Sequence, residues 1–235
     1  MTPTWKTAAT ALVDDLRHIF GTRLRSVVAY GARLEGATET PLTCLAIVSS
    51  LTVEDLEQCA TLAGRWARAQ IAIPLIVPAD EFARSLDAFP LEYGEIIRTH
   101  ARVYGDDPFQ GAIVIPEDLR RACELQAKSH LLHLREGFIE ARGRPAAIAR
   151  LVQASAPGFT ALLRNVARLG DDPTRDRVGA TRAGARAAGV PDELATDMLN
   201  LERQPGLPAA DAARLFPEYL AAMERLAGAV DRWHD

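Results

Sequence analysis

The apolar positions change their period along the chain, and each change marks an element. Over residues 4–20, Ala8, Leu12, Val13, Leu16, Ile19 and Phe20 recur at helical spacing, which predicts an amphipathic helix stopped by Gly21. Leu24 to Tyr30 (LRSVVAY) is rich in β-branched and aromatic residues and predicts a strand. Residues 31–42 hold Gly31, Gly36 and Pro41 and predict a loop. A second strand is predicted over 43–49. Thr52-Val-Glu-Asp55 resembles a capping box, opening a helix to about Gln70. Residues 71–77 (IAIPLIV) predict a third strand, with Pro74 marking an edge or a bulge. Helices over 79–86 and 91–99 and a short strand over 101–104 come next. Gly105-Asp-Asp-Pro108 then predicts a turn, and the domain boundary is placed just after it.

The remainder reads as helical. Pro116-Glu-Asp118 opens a helix to about Ala141. A second begins at Pro145 with an apolar face of Ile148, Val152, Phe159, Leu163 and Val166, and Pro157 predicts a kink. Shorter helices are predicted near 175–188 and 191–202. Tyr219, Met223, Leu226, Val230 and Trp233 then alternate by four and three along a last helix. That seam suits either the bundle interior or a homodimer. The pattern predicts an α+β chain: a mixed β-sheet with flanking helices over 1–110, then an all-α helical bundle over 111–235.

Composition narrows the function. The 235 residues are 48% hydrophobic and 25% charged, with a net charge of -4, which is ordinary for a globular protein. Residues 1–110 carry 10 Lys+Arg against 14 Asp+Glu, and residues 111–235 carry 17 of each. Neither half is basic, so nucleic acid is not an expected partner. No stretch reads as a bilayer span or a secretory leader. Cys44, Cys59 and Cys123 are too widely spaced for a zinc site and are expected to be buried thiols in a reducing cytoplasm. Trp5, Trp66 and Trp233 are expected as core or interface anchors.

The candidate chemistry lies in the strand, glycine loop and strand of residues 28–48, VAYGARLEGATETPLTCLAIV. This segment resembles the signature of the DNA polymerase β-like nucleotidyltransferase superfamily, in which a strand ends in Gly-Ser or Gly-Gly and a loop leads to Asp-x-Asp on the next strand. The element order is also similar to that superfamily's core, and a following helical bundle is common in its small bacterial members. The runs Phe89-Pro-Leu-Glu-Tyr93 and Val103-Tyr-Gly-Asp-Asp-Pro108 look like the linker of one such bacterial group. The resemblance implies that the glycine turn holds a triphosphate and that two carboxylates hold the Mg²⁺ ions of nucleotidyl transfer. Positions i and i+2 of a strand share a face, so Asp-x-Asp sets two hard oxygen ligands side by side.

In this chain Gly31 matches the motif glycine, but Ala32 stands where Ser or Gly is expected. Thr43 and Leu45 stand where the two aspartates belong, and IAIPLIV offers no third carboxylate. A leucine cannot coordinate Mg²⁺. The motif therefore predicts a catalytically degenerate nucleotidyltransferase-like protein with no catalytic or metal-ligating residue at these positions. It is expected to bind a nucleotide or small anion at Gly31, Ala32, Arg33 and Thr43, or to serve as a regulatory protein without a cofactor. Arg33 can meet a phosphate bidentately, although a solvated loop arginine is the simpler expectation. One alternative is an active transferase that holds Mg²⁺ with nucleotide through relocated ligands, Glu35, Glu39 or Glu92. The other is a protein-interaction module with a vestigial cleft, whose partner is another protein or a second copy. Glu92, Tyr93, Glu95 and His100 form a polar group expected at the domain junction. His130 and His133 share a helix face at i, i+3, a spacing too sparse to predict a metal site.

Overall fold

The computed structural model describes residues 5–34, 36–37, 40–174, 176–202 and 206–233. The chain forms two compact units, Met1–Ile115 and Pro116–Asp235. In the first, α1 (Trp5–Phe20) leads through a 3-10 turn at Gly21–Arg23 into β1 (Leu24–Tyr30). Then come β2 (Thr43–Val48), α2 (Val53–Arg68), β3 (Leu75–Pro78), α3 (Ala79–Ala83), α4 (Pro90–Arg98) and β4 (His100–Gly105). The sheet order is β3-β2-β1-β4. Strand β1 runs antiparallel to β2 and β4, while β2 and β3 are parallel and joined by the α2 crossover.

Strand alternation gives the sheet two apolar faces. Val27, Ala29, Cys44, Ala46 and Val48 pack against Leu12, Leu16 and Phe20 of α1 and Trp66 of α2. Val28, Leu45 and Ile47 point the other way, into Phe82, Tyr93, Ile96 and Phe109. The run LRSVVAY is apolar at consecutive positions because β1 is covered on both sides.

The third strand is shorter than expected. Only Leu75–Pro78 pairs with β2, while Ile71 makes an isolated bridge to Leu42. Pro74 lies between them and has no N–H for a ladder. The capping box at α2 is complete: Asp55 N donates to Thr52 Oγ1 (3.3 Å) and Thr52 N to Asp55 Oδ2 (3.0 Å). Arg23 adds two bonds to the same carboxylate, at 2.6 and 2.7 Å. Those Arg23 bonds hold Asp55 down at about 2. Trp66 Nε1 donates to Asp15 at 2.8 Å, fastening α2 to α1. The expected turn at residues 105–108 forms, but Phe109 packs into the second face of the sheet, so the first unit continues beyond it.

The second unit holds α5 (Pro116–Ala141), α6 (Pro145–Leu169), α7 (Arg177–Ala187), α8 (Asp192–Leu201) and α9 (Ala209–Asp231). Helix α6 continues through Pro157 and is the centre of the unit, packing against the other four. By length and hydropathy it could cross a membrane, contrary to the sequence expectation. Its fully buried Val152, Phe159, Leu163 and Val166 account for that apolarity as a core helix. The α9 seam is internal: Tyr219, Met223, Leu226 and Val230 are fully buried, so the seam itself offers no surface for a homodimer. Trp233 lies against Gly170, within the same unit.

Candidate functional site

The corner between β1 and β2 is built from the loop inward. Tyr30 ends β1 opposite Thr43, and Val28 sits opposite Leu45. Gly31 has φ +81, a conformation that side chains disfavour. A Cβ there would also lie 2.9 Å from Thr43 Oγ1. Thr43 Oγ1 donates to the Tyr30 carbonyl at 2.6 Å. The glycine thus makes room for a threonine that closes the corner.

The loop then folds on itself. Leu34 N donates to Gly31 O, Ala37 N to Ala32 O and Gly36 N to Arg33 O, at 3.0, 3.1 and 3.4 Å. Arg33 is only 5% exposed and donates to Thr40 O at 2.8 Å. It is a buried clamp across its own loop, which corrects the expectation of a solvated arginine. Gly31, Ala32, Arg33 and Thr43 therefore share one corner. Glu35 and Glu39 lie outside the described residues.

Below the corner the strand face is covered. Leu45 has no exposed surface and lies in a cluster with Phe82, Tyr93, Ile96 and Phe109. The rings pack edge-on, with centroids 5.3 Å apart for Phe82 and Tyr93 and 5.5 Å for Phe82 and Phe109. Ser85 Oγ lies 3.2 Å from the Tyr93 hydroxyl and satisfies it inside this cluster. The residues at 43 and 45 do not fit a Mg²⁺ pair: one hydroxyl is committed to a carbonyl, and the other side chain is apolar and enclosed.

The polar residues of α4 separate by role. Glu92 is exposed, Tyr93 is buried, and Glu95 is half-buried. Burial raises the Tyr30 phenol to about 12, with Cys44, Glu95 and Tyr93 adding smaller electrostatic contributions. Glu95 is thus a described carboxylate that approaches the corner. His100 sits within the first unit. Its Nδ1 faces the carbonyls of Ile96 and Ile97 at 3.2 and 3.1 Å, and its Nε2 lies 3.2 Å from Asp107. The backbone N–H of Phe109 and the His100 ring hold the Asp107 carboxyl below its usual value.

In the second unit His130 Nε2 lies 2.6 Å from the Tyr219 hydroxyl, while His133 is exposed beside Glu136. No group of three or more His, Cys, Asp or Glu is placed to hold a metal among the described residues. All three cysteines are buried and free, and burial raises the Cys44 and Cys123 thiols to about 12. The aromatic cover was not anticipated from sequence. Its signal is density: Phe82, Phe89, Tyr93, Tyr104 and Phe109 crowd one stretch of a chain that is only 6% aromatic.

No protein-family model matches the chain, and no curated protein sequence does. Its structure is similar to the crystal structure of spectinomycin adenyltransferase AAD(9) from Enterococcus faecialis with ATP and spectinomycin. The match covers 96% of this chain and 99% of that one, with a TM-score of 0.59 and 12% sequence identity. This is a nucleotidyltransferase fold. The likeness extends through the helical residues as well as the sheet. In this nucleotidyltransferase fold, strand β2 carries Thr43 and Leu45 and no carboxylate.

Proposed function

We propose that this chain is a binding or regulatory protein built on a nucleotidyltransferase fold and that it does not carry out two-metal nucleotidyl transfer. The observation that carries this reading is Leu45, wholly enclosed by aromatic and aliphatic side chains on the strand face where Mg²⁺ ligands would stand. Two-metal chemistry requires oxygen ligands on both ions, held at a fixed short separation. Opening this face to metal would require both a carboxylate and the removal of its cover.

The ligand expected at the corner formed by Gly31, Ala32, Arg33 and Thr43 is a nucleotide or another small anion, bound without a resident metal, with Arg33 and the Thr43 hydroxyl shaping the corner through Thr40 O and Tyr30 O. The structural neighbour was crystallised with ATP, which makes ATP the first ligand to test. Buried free thiols suit a reducing, cytoplasmic setting.

The test pairs calorimetric titration of ATP, with and without Mg²⁺, with incubation on labelled ATP. Saturable ATP binding without pyrophosphate release is the expected result. Mg²⁺-dependent pyrophosphate release, abolished by Glu95→Gln, would overturn the proposal in favour of relocated ligands. Absence of binding at millimolar ATP would remove the nucleotide and leave a protein-interaction role.

A further inference from the structure

The helical unit contains a feature that a bundle core does not require. The inward face of α5 runs through buried Cys123, Ala127 and Leu134, and His130 interrupts it. Its Nε2 is 2.6 Å from the hydroxyl of Tyr219, itself fully buried on α9. A leucine and a phenylalanine at these two positions would fill the same volume without desolvating polar groups. Polar networks that break an otherwise apolar core occur more often where a ligand is met.

The network opens onto a groove between α5 and α6 of about 230 Å³. Helix α5 lines it with Gln126, Ser129 and His130, and α6 with Ala154, Ser155 and Gly158. Gly158 faces the imidazole directly: a Cβ there would come within 3.3 Å of His130 Nδ1. That nitrogen has no hydrogen-bond partner among the described residues, because the only bond the ring makes is through Nε2. The groove walls carry no Lys, Arg, Asp or Glu; His133, exposed and 3.1 Å from Glu136, also lines it, and Leu134 and Leu151 supply apolar surface. Burial lowers the His130 pKa to about 4, so the ring is neutral at neutral pH.

We infer that this groove binds an uncharged planar heteroaromatic molecule of one or two fused rings, whose polar edge hydrogen-bonds to His130 Nδ1 while its faces lie against α6. Size supports a ring of that kind, since an apolar cavity of about 150 Å³ accepts benzene. The absence of Lys, Arg and helix N-termini from the walls argues against phosphates and carboxylates, which need such partners, and His133 already faces the Glu136 carboxylate. A polar edge with both donors and acceptors suits an imidazole flanked by an amide and a hydroxyl, all of which can serve either way.

The test uses the full chain labelled with ¹⁵N-histidine, with His130 assigned through His130→Gln, and adenine as the probe. Adenine is expected to shift the His130 Nδ1 resonance saturably, and benzene is expected not to. Ala154→Trp fills the groove from an exposed position and should abolish the shift without loss of folding. Gly158→Val should do the same by crowding the ring. The inference is overturned if adenine gives no saturable shift up to its solubility, if benzene gives an equal one, or if the shift survives in Ala154→Trp. Because the readout sits on His130, the result is independent of whether ATP binds at Gly31.

Discussion

Leu45 has no exposed surface, and its neighbours Phe82, Tyr93, Ile96 and Phe109 offer a charge neither water nor a cation. Leu45→Asp should therefore fail to recreate a metal ligand and should instead bury a charge. The expected cost is several kcal/mol, roughly 3 or more. Urea denaturation should show the first unit unfolded or nearly so, whereas Leu45→Met should cost under about 1.5 kcal/mol. A stable Leu45→Asp chain that binds Mg²⁺ would refute the enclosed site. That position 45 offers no carboxylate is legible from the residue type alone. The enclosure is not, because the cover comes from residues far downstream in the chain. Gly31 is likewise legible as a turn glycine, but the need to clear Thr43 Oγ1 emerges only from the register of β1 on β2. Gly105 is more demanding. It has φ +70, and a Cβ would lie 1.9 Å from Arg25 O on the neighbouring strand. Gly105→Ala should destabilise by about 2 kcal/mol or more, read from the denaturation midpoint.

Among the elements, those with strong local signals are legible nearly to the residue. Helix α1 carries clear periodicity, strands β1 and β2 are marked by continuous apolar and β-branched runs, and the Thr52–Asp55 box states where α2 begins. β3 is the least legible, since IAIPLIV looks like a continuous strand until Pro74 interrupts its pairing. Helices α5, α6 and α9 are legible as helices, but their partners are not. The α9 seam has the same apolar spacing whether it faces a second copy or its own bundle, and only the structure places Tyr219 inside. That placement has a pH consequence. His130 is held at about 4 by burial, below its ordinary 6.5, with His133 a smaller contributor. It faces Tyr219 on α9 and Ser155 and Gly158 on α6. Unfolded chain takes up the proton first, so this contribution to stability is complete above pH 6.5 and is lost as pH falls toward 4. The expected loss is about 3 kcal/mol, from the shift times ~1.36 kcal/mol per unit. Unfolding free energies measured across that range should fall with pH in the wild-type chain, and His130→Gln should flatten the slope.

For the molecule as a whole, the fold survives at 12% identity to its structural neighbour because it rests on alternation, helical periodicity and a few turn glycines. None of those features depends on the carboxylates that a transferase needs, so architecture is readable from this chain where activity is not. Chain division obeys the same logic. Pro and Gly mark a turn at 105–108, yet Phe109 still packs into the sheet, and a sequence signal for turns cannot register that tertiary contact. Ala112 still packs against the same cluster, and beyond it the chain loses this anchorage. Gln110 and Gly111 are exposed, and Ile113 and Ile115 are 76% and 55% exposed in a stretch with no helix or strand before Pro116. Proteases cut where backbone is free of secondary structure and can enter a cleft extended. Thermolysin, which cleaves before aliphatic residues, should therefore nick the native chain first at Ile113 or Ile115 and yield two fragments of similar mass. Mass spectrometry of the earliest products decides the matter. First cuts within β1, β2 or α6 would mean that the two units do not hold together as separate cores.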